Sequence, residues 1–419
     1  MGTLKHLIES ILPRGAYRAL TTPYHFVWTL VSAIRYGFPA RSLTVIAVTG
    51  TKGKSSVTEM IAAVLTEAGH TVAVSSTIHF AIGKEVRPNK FKMTLPGRGF
   101  IQKFLREAVT KGATHAVIEI TSEAALQYRH LFLSLDALVF TNLEKEHLES
   151  HGGMERYFAA NYRIGTALVH STKRPRAIIA NADSPYGLRF LELPVEKQVP
   201  FTLSDAQEVT LSPTSASFLY EGTHFSVPHP GNFSVMNALA TIKAGTFCAV
   251  PLTTTARALE GLKTIAGRAE RIEAGQDFLA VVDYAHTPDS LIALYEAYAG
   301  KRKICVLGNT GGGRDTWKRP EMGRIADEYC DEVILTDEDP YDENPQEIVD
   351  AMAEGMKRAP KIIMDRREAI REALSQAKPG DAVLITGKGT DPYIMRARGT
   401  REEWSDARVV REELEKLAS

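Results

Sequence analysis

The sequence is short of cysteine, of charge imbalance and of long apolar runs, and each shortage removes a class of protein. Cysteine occurs three times, at Cys248, Cys305 and Cys330, with no C-x-x-C pair. That spacing argues against a disulfide framework or a zinc cluster and leads us to expect a reducing, cytoplasmic compartment. Lys+Arg and Asp+Glu each number 50, so the formal net charge is +0. A general nucleic-acid binder needs surplus positive charge to neutralise phosphates, so we expect no nucleic-acid partner. The most apolar early stretch, Tyr24–Phe38, is interrupted by Arg35 and is shorter than the roughly 20 residues that span a bilayer. We expect an amphipathic helix packed on the first domain through Phe26, Leu30 and Ile34, which recur at a spacing of four. Contact with a membrane surface is the alternative. We expect no cleavable leader.

What is present is a long series of β-branched runs and helical patterns. A chain of 419 residues implies two or three domains. "LTVIAVTG", "TVAVSST", "THAVIEIT", "LDALVFTNL" and "PRAIIANAD" read as strands, with helices such as "SSVTEMIAAVLTEAG" and "FIQKFLREAVTKG" between them. Near-continuous apolar strands separated by helices predict a parallel sheet covered on both faces. From about Pro200 to Pro230 the pattern changes to short alternating strands, an antiparallel flap, followed by the helix "SVMNALATIKAGTFCAV". A second series, "FLAVVDYAH", "KICVLGN", "DEVILTD", "KIIMD" and "DAVLITG", predicts another doubly wound domain of about 150 residues. We divide the chain into a helical segment 1–42, a central domain 43–264 and a C-terminal domain 265–419. In open α/β sheets ligands gather at the carboxyl ends of strands, so the residues there are the ones to read for chemistry.

The first such loop is "VIAVTGTKGKSSV". It resembles a phosphate-binding loop, but the position of the usual first glycine is Val48, and the earlier glycine is Gly50. The compressed loop Gly50, Thr51, Lys52, Gly53, Lys54, Ser55, Ser56 still supplies close-approach glycines, amides at a helix start and a lysine. Lys54 would meet the terminal phosphates of a nucleotide and Ser55 a Mg²⁺ ion. Glu119 in "AVIEITSE" and His147 in "EKEHLESHGG" are candidate partners of Ser55 in that metal site.

"TGTKGKSS", "TNLEKEHLESHGGMERY", "IANADSPYG", "AGRAERIE", "VVDYAHTPDSL", "GGGRDTWKRPEMG" and "LITGKGTD" stand in the order and approximate spacing of the Mur ligases. The chain resembles that family from about residue 43 to 395, and within it the tripeptide synthetases of peptidoglycan assembly. The resemblance implies a central P-loop ATPase domain with a parallel sheet and a C-terminal Rossmann-like α/β domain, preceded here by the short helical segment. It also implies a monomeric, cytoplasmic, ATP- and Mg²⁺-dependent ligase that serves the cell wall, and with it cell shape and division. A carboxylate-bearing cell-wall precursor would be activated as an acyl phosphate and joined to an amino acid. Lys54, His147 and Lys318 are then the catalytic candidates, with Arg319 beside Lys318. Asn237 would meet the adenine, and Arg268 and Asp283 would hold ATP. Thr94 and Pro96 resemble the loop that touches the nucleotide-sugar. His286 in "DYAHTP" belongs to the same pattern.

The chain departs from the family pattern at four places. Residues 1–42 are too few for the family's UDP-gripping first domain. Asn161 in "HGGMERYFAAN" stands where the family carries a carbamylated lysine, so a second Mg²⁺ would need Glu146 or Glu123 instead. The acceptor motif D-N-P-R reads "EDPY", ending at Tyr341, inside an acidic cluster of Asp337, Glu338, Asp339, Asp342 and Glu343. Loss of the arginine removes a bidentate partner for diaminopimelate, and the acids favour a lysine-like acceptor. Glu338 and Asp339, with Lys388 and Asp391 of "GKGTD", are the substrate-binding candidates; Thr390 and Asp391 stand where the family has His-Glu. Two further readings stay open: a folylpolyglutamate-type or other carboxylate–amine ligase, and a catalytically impaired nucleotide-binding subunit.

Overall fold

The computed structural model describes residues 14–97, 99–146, 151–313 and 315–417, the side chains of 14–22 excepted. The chain forms two compact units. One holds the residues before Glu144, Glu155–Phe201 and Lys243–Ala249; the other holds Glu144–Met154, Thr202–Ile242 and the chain from Val250 on.

In the first unit, β1 (Thr44–Thr49), β2 (Val72–Ser75), β3 (His79–Ile82), β4 (Glu85–Pro88), β5 (His115–Glu119), β6 (Ala137–Phe140), β7 (Ala177–Asn181) and β8 (Lys197–Phe201) form one sheet. Their order is β4-β3-β2-β5-β1-β6-β7-β8. β1 lies between β5 and β6, parallel to both. Val45 to Val48 are wholly buried, as a strand covered on both faces requires. The sheet is not purely parallel: β3 and β4 form an antiparallel hairpin beside β2. β4 is exposed along its length, and its Glu85, Arg87 and Pro88 protect the edge from pairing. Helix Phe100–Thr110 buries Ile101, Phe104, Leu105 and Ala108, one face at helical spacing.

The early helix, Arg14–Arg35, forms as expected but with another face inward. Thr29, Ser32 and Ala33 are buried, whereas Ile34 is 60% exposed and Phe26 39%. Close approach explains the inversion, because a Cβ on Gly99 would stand 2.2 Å from Ser32 Oγ and only small side chains fit there. Phe26 keeps an edge contact with Tyr128 and a tilted one with Phe132. The Arg106 guanidinium donates to Tyr36 O at 2.8 and 2.6 Å and to Gly37 O at 3.1 Å, capping the helix end. No helix among the described residues is long and apolar enough to cross a membrane.

In the second unit, β9 (Gln207–Leu211), β10 (Ala216–Tyr220) and β11 (Thr223–Val227) make the antiparallel flap. The larger sheet contains β12 (Glu270–Arg271), β13 (Leu279–Val282), β14 (Lys303–Leu307), β15 (Glu332–Leu335), β16 (Lys361–Ile362) and β17 (Ala382–Ile385). Its order is β12-β13-β17-β14-β15-β16, parallel except for β12. A hairpin of β18 (Tyr393–Met395) and β19 (Arg401–Glu403) follows. The last helix, Asp406–Leu417, is tied down by a buried ion pair between Arg366 and Asp406 at 2.7 Å.

Cys305 on β14 and Cys330, just before β15, form a disulfide. The spacing argued against a disulfide framework, yet one bond forms, and cysteine spacing therefore no longer argues for a reducing compartment. The two residues are 25 apart in sequence and meet because the crossover returns the chain beside its own strand. Cys248 stays a thiol, pushed up to about 12 by burial.

Candidate active site

β1 ends at the phosphate loop, where neighbouring β6 sends two polar residues, Thr141 and Asn142, to hold it. Thr51 N donates to Asn142 O at 2.9 Å, and Lys52 N to Asn142 Oδ1 at 2.9 Å. Thr141 Oγ1 donates to Lys52 O at 2.6 Å. Gly50 has φ 141°, and a Cβ there would stand 2.2 Å from Thr141 Oγ1 and 2.8 Å from Asn142 O. Only glycine fits this close approach. Gly53, with φ 79°, turns the chain into helix Lys54–Glu67, whose positive end therefore faces the loop. The Lys54 ammonium donates to Gly50 O at 3.0 Å and Thr51 O at 2.8 Å, two loop oxygens of the kind a phosphate would offer.

Beside the loop lies a chain of hard oxygen donors. Ser55 Oγ donates to Glu119 Oε2 at 3.0 Å, as does Thr77 N at 2.8 Å. Thr77 Oγ1 donates to Glu119 Oε1 at 3.0 Å and stands 2.7 Å from Thr94 Oγ1. Ser55 is 3% and Glu119 1% exposed. Three of the sequence candidates, Ser55, Glu119 and Thr94, are thus joined through Thr77. A carboxylate among hydroxyls is the donor set a small divalent cation takes. Among the described residues no group of three His, Cys, Asp or Glu could hold a metal, and His147 lies outside those residues.

Asn161 is fully buried under the loop. Its Oδ1 stands 2.9 Å from Thr49 Oγ1, and its Nδ2 donates to Tyr157 O at 3.0 Å. The single Thr49 proton serves both Asn161 and Ile120 O, the latter at 2.8 Å. Tyr157 OH in turn reaches Thr51 Oγ1 at 3.1 Å. The amide therefore braces the loop from below. The loop bearing Thr94 and buried Pro96 is gripped by Arg129, whose Nη1 donates to Leu95 O at 2.5 Å. Burial lowers the Arg129 pKa, and its Nε has no partner.

In the second unit Asp283 accepts from Ala269 N and Ala285 N, each at 2.6 Å, while burial pushes its pKa up. Arg268 lies over the Tyr284 ring at 4.6 Å. Gly267 packs on Gly389 so closely that a Cβ would stand 2.7 Å from the Gly389 carbonyl carbon, joining "GRAER" to "GKGTD". His286 Nε2 meets Glu146 Oε1 at 2.9 Å, and Lys318 Nζ donates to His286 O at 3.0 Å. Arg319 pairs with Glu343 at 2.7 Å. Asn237 is 9% exposed on helix Asn232–Phe247.

The acidic cluster is largely engaged internally. Asp337 pairs with Arg396, Asp342 accepts from Arg398 N, and Glu343 accepts from Gly313 N besides Arg319. Asp339 Oδ1 accepts from Lys388 Nζ and Met395 N, each at 2.8 Å. Lys388 is fully buried and also donates to Tyr393 O at 2.6 Å, with Asp391 at 3.5 Å. Glu338 is different. Its Oε1 accepts from Thr310 at 2.8 Å, but its buried Oε2 has no partner. That oxygen occupies the space over Gly387, where a Cβ would come within 2.1 Å.

Sequence reasoning missed Thr77, Arg129, Thr141 and Asn142. For the last two a signal existed, a polar pair directly after a strand. Thr77 offered the same signal, two residues after β2, whereas Arg129, in a turn after a short helix, carried none.

Two family models match the chain: the Mur ligase middle domain over residues 48–245, and the Mur ligase glutamate ligase domain over 267–389. The UDP-N-acetylmuramoyl-L-alanyl-D-glutamate--2,6-diaminopimelate ligase of Caldanaerobacter subterraneus subsp. tengcongensis is 36% identical over 373 residues, covering 85% of this chain and 75% of that protein. A solved structure of an enzyme so named superposes with a TM-score of 0.62 at 29% identity, over 90% of this chain and 79% of that one. Mycobacterium tuberculosis folylpolyglutamate synthase, complexed with ADP and AMPPCP, gives 0.71 at 16% identity over 87% and 93%, a likeness of fold.

Proposed function

The chain belongs to the Mur ligase family of ATP-dependent amide ligases, and we propose that it joins a UDP-N-acetylmuramoyl dipeptide to an amino acid, lysine before diaminopimelate. The observation that carries this reading is Ser55 hydrogen-bonded to Glu119 beside a braced loop bearing Lys54. We take residues 43–264 as the nucleotide-binding part, 265–419 as the acceptor part, and the cytoplasm, where ATP is made, as the site of action.

The donor carboxylate oxygen bonds to the γ-phosphorus of ATP as the bond to ADP breaks, giving an acyl phosphate. The acceptor nitrogen then bonds to the carbonyl carbon, phosphate leaves, and the amine proton passes to solvent. Phosphoryl transfer needs alignment and charge neutralisation more than covalent help. Lys54 exchanges its loop carbonyls for phosphate oxygens. Ser55 and Glu119, with His147, would hold Mg²⁺, which when bound neutralises phosphate charge. Thr94, Thr77 and Arg129 position the donor, and Asn237, Arg268 and Asp283 orient the nucleotide. Lys318 would meet the transferred phosphate. Glu338 Oε2 takes the acceptor's ammonium, in a wall shaped by Lys388, Asp339 and Asp391.

ADP release with UDP-N-acetylmuramoyl-L-alanyl-D-glutamate and a panel of amino acids tests this. Lysine should stimulate release more than diaminopimelate. If no amino acid stimulates while ATP still binds, the impaired-subunit reading takes its place; stimulation by a folate with glutamate would favour the other ligase reading.

A further inference from the structure

From Pro23 on, where its side chains are described, the helix Arg14–Arg35 buries small side chains and leaves large ones exposed. Tyr24 is 48%, Val27 53%, Trp28 46%, Val31 47% and Ile34 60% exposed. Their positions form one helical stripe, so the exposure is contiguous along a face and not scattered. An apolar stripe of this kind normally points into the core, yet here the core side is occupied by Thr29, Ser32 and Ala33.

Along the chain, the charge on either side of the stripe is of one sign. No Asp or Glu occurs between Glu9 and Glu59, while Arg14, Arg18, Arg35 and Arg41 do, in a chain whose formal net charge is +0. Arg35 and Arg41 are exposed at the helix end. Tyr and Trp with flanking arginines are the side chains that settle at the boundary between lipid headgroups and acyl chains. The helix is not apolar enough to cross. A second copy of this basic stripe would bring like charges together, whereas an anionic surface complements them.

We propose that this helix lies in the plane of an anionic lipid surface, with Trp28, Val31 and Ile34 entering the headgroup boundary and Arg35 and Arg41 meeting lipid phosphates. The ligase then works at the inner face of a membrane, docked through its first unit.

Flotation of the full chain with phosphatidylcholine vesicles, with and without phosphatidylglycerol, tests this. Binding should need phosphatidylglycerol and weaken as salt rises. Trp28→Glu combined with Val31→Glu should weaken it by at least about tenfold, since apolar entry is lost and like charge added. Both positions are exposed, so folding, read by thermal melting, should hold. Leu188→Glu, on a 51% exposed residue of helix Pro185–Leu191, should leave binding unchanged. Hydroxyl-radical footprinting should find Trp28 open without lipid and protected with it. Absence of binding, binding indifferent to the double change, or a dimer dissolved by that change would overturn the proposal. So would a Trp28 already protected in lipid-free monomer, which would mean the chain covers its own stripe.

Discussion

Replacing Glu119 with Gln keeps the side chain's shape while removing its charge and converting one oxygen to a donor. The Oε2 position faces Thr77 N–H, which cannot turn, so the new amide group must take the Oε1 position. There Thr77 Oγ1 can rotate to accept it and donate instead to Thr94. Two charge-assisted bonds, from Ser55 and Thr77 N, become neutral ones, a loss of about 1 kcal/mol each. Relief from holding a buried charge offsets part of this. The net is about 1–2 kcal/mol, or a melting temperature lower by about 2–8 °C. Function should suffer far more if this carboxylate helps hold Mg²⁺. Half-saturation by Mg²⁺ should rise, or turnover fall, by at least about 10–100-fold. ADP release across a Mg²⁺ titration, beside a thermal melt, separates the two effects. A folded Gln variant with unaltered Mg²⁺ dependence would refute the assignment.

Glu338→Gln should raise the KM for lysine about tenfold or more and leave that for ATP unchanged; an equal rise for a neutral amino acid would count against the ammonium role. His130 and His229 are buried, and burial pushes both down to about 4. The unfolded chain protonates first, near 6.5, so the stability each provides is present above that value and lost as pH falls toward 4. Each accounts for up to about 3 kcal/mol, and melting temperatures flat from pH 8 to 5 would be incompatible with this. Reducing the Cys305–Cys330 bond should cost about 3 kcal/mol, since it closes a loop of moderate length. A melt unchanged by dithiothreitol, with both thiols then alkylated, would show the bond to be without weight.

How much was legible follows from how local each signal is. The strands around the loop and the loop itself were readable, because apolar runs and glycine spacing are properties of a few consecutive residues. The face of the first helix was not, because it depends on Gly99 standing against Ser32. The acidic cluster was visible as composition, but its neutralising partners Arg396 and Arg319 come from other segments. Glu338 is distinguished by what its neighbours leave over, which only the assembled fold determines. The disulfide joins residues that meet through sheet order, and sheet order is not written in spacing.

Asn161 also bears on what the loop tolerates beneath it. Its amide is joined to Thr49 and to Tyr157 O, and Tyr157 OH to the loop. A lysine placed at this position would put an ammonium where no solvent reaches, facing a hydroxyl and a carbonyl arranged for an amide. The single substitution would cost stability, and because Tyr157 OH reaches Thr51, that cost would fall on the phosphate loop itself.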